Sequence, residues 1–66
     1  MIYKTIELDK SFECGVALGS IRTHLAGQGS GELNIIQVQR ATVTVEISVY
    51  NPLVMSYIED RLADFV

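Results

Sequence analysis

Cys14 and His24 are the only cysteine and the only histidine in the chain, hence its only soft nucleophile and its only near-neutral base. Thiolate chemistry of the cysteine–histidine kind needs the two side chains within hydrogen-bond reach. They stand ten residues apart, in a stretch whose apolar spacing predicts one continuous helix. At the helical rise per residue that is about 15 Å along the axis, too far for side chains of one subunit to meet. Cys14 falls among apolar positions and reads as a small buried hydrophobe. His24, near the helix end, reads as a solvated or dipole-paired imidazole rather than a base. A structural zinc site usually takes four Cys/His ligands, more than this chain has, and a lone cysteine excludes an internal disulfide. No catalytic residue, metal site or cofactor is therefore expected.

The carboxylates are more numerous. Glu7 and Glu46 fall on the same face of their predicted strands and are expected as cross-strand neighbours. Such a pair repels when directly opposed, or it shares a proton or holds a cation; a separated, solvated pair is the expectation. Glu59, Asp60 and Asp64 form an acidic outer helix side. Tyr3 and Tyr50 are of the type that stacks bases on RNA-binding sheets, but the acids beside them and the missing basic motif argue against that use. The run Gly27 to Glu32 (GQGSGE) has glycines at alternate positions. It follows a helix and opens a strand, the reverse of a phosphate-binding loop, and lacks the P-loop lysine. It is read as a flexible connector.

The elements that position these residues are organised around Thr42–Tyr50. Val43, Val45, Ile47 and Val49 alternate with Thr42, Thr44, Glu46, Ser48 and Tyr50, the period of a strand with one apolar face. Met1–Leu8 reads as an edge strand, with Ile2, Ile6 and Leu8 on one side and Lys4 pointing inward among them. Asp9 or Ser11 caps a helix that runs to about Ala26 and stops at Gly27. Leu33–Val38 is the next strand. Its apolar parity is out of step with Val43–Val49, which predicts a turn or bulge near Gln39–Ala41; one long bent strand shared between subunits is the alternative. Asn51-Pro52 opens a second helix. Its stripe is Val54, Met55, Ile58, Leu62, Phe65 and Val66, with Ser56, Glu59, Asp60, Ala63 and Asp64 outside.

The first helix is the anomaly. Cys14, Ala17, Leu18, Ile21 and Leu25 make one apolar stripe for the sheet. The opposite side carries Phe12, Gly15, Val16, Gly19, Thr23 and Ala26 where charges are expected. A helix apolar nearly all round is buried nearly all round, and each interior glycine costs up to about 1 kcal/mol relative to alanine. Close approach of another backbone offsets such a cost. That backbone is either the chain's own second helix or a neighbouring subunit, and the small size of the domain favours the neighbour. Sixty-six residues bury only about 60% of their unfolded surface, and such a core contributes roughly 3–5 kcal/mol. With no disulfide or metal to help, oligomerisation remains.

The order strand, helix, strand, strand, helix predicts a single α+β domain: ferredoxin-like β-α-β-β-α with the fourth strand missing, a three-stranded antiparallel sheet and both helices on one face. The missing strand leaves strand one as an open edge, so edge pairing there and packing through the glycine side of the first helix are two routes to self-association. The opening MIYKTIEL is similar to that of dodecins, small β-α-β-β flavin carriers. The likeness covers eight residues and no functional motif, and dodecins lack the final helix, so it implies no flavin site here. A net charge of −3 argues against nucleic acid. No apolar run is long enough for a membrane span, and the N-terminus lacks a signal-peptide core. A reduced, cytoplasmic setting is the expectation. The expected function is a homo-oligomeric interaction or regulatory module that binds a protein partner or small ligand. The alternatives are an enzyme with a site assembled between subunits and a purely structural assembly subunit.

Overall fold

The alternation in Thr42–Val49 has its consequence at the centre of the sheet. A computed structural model describes residues 1–66 and orders the elements as β1 (Ile2–Asp9), α1 (Phe12–Gln28), β2 (Gly31–Val38), β3 (Thr42–Val49) and α2 (Pro52–Leu62), with a final 3-10 turn over Ala63–Phe65. The three strands form one antiparallel sheet in the order β1-β3-β2, so β3 is paired on both sides. Its odd-numbered residues Val43, Val45, Ile47 and Val49 are all buried, and with Leu8, Leu33 and the inner stripes of both helices they make a core of 14 residues. The class is α+β, with two helices and a three-stranded sheet.

All five predicted inner residues of α1 are the buried ones: Cys14, Ala17, Leu18, Ile21 and Leu25. Ser11 is the N-cap, its hydroxyl accepting from the Cys14 amide at 3.0 Å, which satisfies one of the donors a helix start leaves free. At the other end the expectation needs correction. The helix passes through Gly27 and ends at Gln28, and Gly29 takes the left-handed conformation (φ 63°). Its N–H reaches the Leu25 carbonyl, as does that of Ser30 at 3.1 Å. Glycine tolerates both conformations, so sequence alone did not say which one ends the helix. The expected connector over Gly27–Glu32 thus shrinks to Gly29 and Ser30. Gly31 already belongs to β2, at φ 153°, and any side chain there would collide with the Ser48 carbonyl of β3.

β2 and β3 form a hairpin, not one shared bent strand. The turn lies where the parity break put it, at Gln39–Ala41, closed by Gln39 N–H to the Thr42 carbonyl at 2.9 Å. A second irregularity sits inside β2: the register shifts between Ile35 and Gln37, so Ile36 is an extra residue without a β3 partner.

Asn51 caps α2 with its side-chain oxygen on the Leu53 amide at 2.9 Å, and Pro52 follows at the start of the helix. Met55, Ile58 and Leu62 are buried, with Val54 and Phe65 packed partly against them. Val66 belongs to the expected stripe but is exposed, because the last turn tightens to 3-10 after Leu62. Glu59, expected on the solvated outer side, instead takes an ion pair at 2.8 Å from Lys4 of β1. No helix is long and apolar enough to cross a membrane.

Candidate functional site

The residues that could do chemistry are kept apart. Cys14 is 1% exposed. Burial pushes its thiol pKa up, and the Asp9 carboxylate adds to the shift, the opposite of what a nucleophilic thiolate needs. His24 lies near Tyr57 of α2, ring centroids 6.0 Å apart and tilted. The Tyr57 hydroxyl accepts from Arg61 Nη1 at 3.0 Å. The hollow beside His24 is lined by Gln28, Ser30, Leu53, Val54 and Tyr57, with no carboxylate among them. No cluster of three or more His, Cys, Asp or Glu side chains is placed to hold a metal ion. Glu7 and Glu46 are not directly opposed: Thr5 faces Glu46 and Glu7 faces Thr44. A register offset of two residues makes the carboxylates diagonal neighbours and relieves the repulsion.

The outer side of α1 is uncovered in the single chain. Phe12, Gly15, Val16, Gly19, Thr23 and Ala26 are all exposed, Phe12 by 83% and Val16 by 57%. Side chains built at Gly15 and Gly19 would meet nothing within 4 Å. The idea that these glycines let α1 approach its own second helix is therefore wrong: α2 packs elsewhere, against the inner stripe and around His24.

Next to this helix face lies a patch that sequence reasoning missed. Ile35, Ile36 and Val38 of β2 are 46%, 55% and 59% exposed. β2 is an edge strand, and its Ile35 and Val38 lie opposite Val45 and Val43, on the helix-bearing face of the sheet, where α1 leaves them largely uncovered. An apolar groove of about 240 Å³ joins the two surfaces, lined by Cys14, Gly15 and Leu18 of α1 and by Ile35, Val38 and Val43 of the sheet. The opposite edge differs. Along β1 the side chains of Tyr3, Lys4, Thr5, Glu7 and Asp9 are exposed, a polar and charged edge of the kind that resists pairing.

A second concavity, about 510 Å³, opens on the sheet face away from the helices and runs past Gly31 to the last turn of α1. Strand register explains it. Ser48 lies opposite Tyr3 of β1 and Glu32 of β2, and its same-face neighbours along β3 are Glu46 and Tyr50. A small residue is thus ringed by four large ones, and Ser48 is only 8% exposed although it faces away from the core. Gly31, with no side chain, leaves the rim open toward α1.

No protein-family model matches this chain, and no curated protein or solved structure is significantly similar to it.

Proposed function

We propose that this chain is a small homo-oligomeric interaction module. On this reading it has the ferredoxin-like β-α-β-β-α plan without a fourth strand and associates through the flank made by the outer side of α1 and the far half of β2. The strand order β1-β3-β2 and the common helix-bearing face support the topology. One observation carries the functional reading: Gly15 and Gly19 stand in a helix interior facing open space, beside a largely exposed phenylalanine. Folding of one chain supplies nothing to offset the cost of two such glycines. Approach of a second α1 backbone would, and would cover Phe12, Val16 and the β2 patch in the same step. The total surface, 4272 Å², is close to the roughly 4,200 Å² expected of a folded monomer of this mass. The flank is therefore not bare because the fold is loose. Between the two routes to self-association, the charged β1 edge is the poorer surface.

Light scattering and native mass spectrometry of the full chain test the proposal. A closed dimer or small ring is expected, and Gly19→Leu is expected to reduce the mass to that of one chain while the far-ultraviolet circular dichroism stays folded. A wild-type chain that is monomeric at high micromolar concentration would overturn the reading.

A further inference from the structure

The ring of side chains around Ser48 has a chemistry of its own, and its hollow shares only Ala26 with the α1 flank. We propose that the hollow beside Gly31 is a binding site for a small organic cation, an alkylammonium or alkylguanidinium compound. Three features converge on that class. Glu32 and Glu46 bring two carboxylates to one cavity, and neither has a counter-ion, because the molecule's only ion pair is Lys4–Glu59. Tyr3 and Tyr50 stand at the same cavity, 66% and 67% exposed, with ring faces that attract cations by their quadrupole. The hollow then passes Leu25, Ala26 and Gly29 at the C-terminal end of α1. There the helix dipole is negative and no basic residue stands in the last turn.

Hydrogen-bond capacity points the same way. Carboxylates accept only, and the Ser48 hydroxyl and the Asn34 side chain add further acceptor oxygens. A multiply donating, positively charged group such as a guanidinium satisfies these acceptors, whereas an anion meets repulsion from Glu32 and Glu46. The Asn34 amide leans on Glu32 at 3.4 Å, a long contact that leaves the carboxylate able to take a better donor. Met1 also lines the rim, and its α-amino group takes part in no ion pair. The volume, about 510 Å³, is in the range of pockets for small molecules. The four-residue ring frames a single cationic head with a short tail.

The test is an amide chemical-shift titration of the full chain with butylguanidinium chloride. Butylurea serves as the uncharged isostere, and sodium chloride holds the ionic strength constant. Saturable shifts are expected at Tyr3, Glu46, Ser48 and Tyr50 with the cation and none with butylurea. Glu46→Gln should weaken binding about fivefold, the size of one ion pair at a partly exposed site, and Tyr50→Leu should weaken it by a smaller factor. Equal shifts from butylurea, a response that follows salt alone, or unchanged binding in Glu46→Gln would each overturn the proposal. A capped Gly-Arg-Gly peptide binding more than about tenfold tighter would overturn the small-molecule assignment in favour of a protein side chain. The Gly19→Leu chain should bind butylguanidinium as the wild type does, so this site and the self-association surface fail or stand separately.

Discussion

The two helices cover the same sheet with inner stripes of the same kind, yet their outer sides are unlike. On α2 the outward positions include Glu59, Asp60 and Arg61, and Glu59 is tied to Lys4 across the sheet edge. On α1 they are Phe12, Gly15, Val16 and Gly19, facing open space. Both helices meet the folding requirement through their buried residues alone: Cys14, Ala17, Leu18, Ile21 and Leu25 on one, Met55, Ile58 and Leu62 on the other. Folding therefore accounts for most of α2, whose Leu53 alone is as bare as Phe12, and for only half of α1. A sequence feature that the fold does not use is where function is to be sought.

The contrast can be broken at the inner faces first, where the effects are largest. Leu25→Ala and Ile58→Ala each remove a side chain that is no more than 1% exposed, and each should cost about 2–5 kcal/mol. Against a total of roughly 3–5 kcal/mol for a domain of this size, either variant should melt near or below room temperature by circular dichroism. If Leu25→Ala is well tolerated while Ile58→Ala is not, the inner faces are not equivalent and α1 is held by something other than the sheet.

The outer faces differ in the sign of a smaller effect. In a lone chain Gly19→Ala should raise stability by about 0.5–1 kcal/mol, because alanine is the better helix former and nothing obstructs its methyl group. In an assembly packed through that side, the same methyl should lower the melting temperature, and the loss should shrink as the protein is diluted. Asp60→Ala on the outer side of α2 should also raise stability, by a few tenths of a kcal/mol, and this gain should not change with dilution. Melting curves over a hundredfold range of concentration decide between these outcomes.

The least disruptive probe is alkaline pH. Burial raises the pKa of Cys14, so the folded chain holds its thiol proton to higher pH than the unfolded chain does. The stability linked to this group is fully present below the unfolded thiol value of about 8.5 and is lost as pH rises through the folded value. Denaturation from pH 7.5 upward should show a steeper decline for the wild type than for Cys14→Ala. Parallel declines would mean that the thiol is not held protonated by the fold.

Much of this architecture is written in local pattern. Period two marked β3, period 3.6 marked the inner stripe of α1, and Asp9 or Ser11 and Asn51-Pro52 marked the two helix starts, because each depends on residues within one turn or one pleat of each other; the structure chose Ser11 over Asp9. Gly27 misled where Gly29 ends the helix, since two glycines of the same type differ only in the backbone angles their surroundings impose. The candidate sites were less legible. The alternation placed Tyr3, Glu46, Ser48 and Tyr50 on one face, but not Glu32 beside them. The register that brings Tyr3 and Glu32 opposite Ser48 is a long-range pairing, and one residue of slip would have dispersed the ring. The bulge at Ile36, which brings Ile35 and Val38 to the same face of the sheet, likewise has no residue signature of its own.

What the order of amino acids decided here is which residues turn inward, because apolar periodicity and caps act over a few positions and need no partner strand. Which outward residues meet one another was decided only when β3 came to lie between β1 and β2. On the β1 side that pairing joins positions 33 to 47 residues apart, Asp9 with Thr42 at one end and Ile2 with Val49 at the other, and no local preference encodes such a distance.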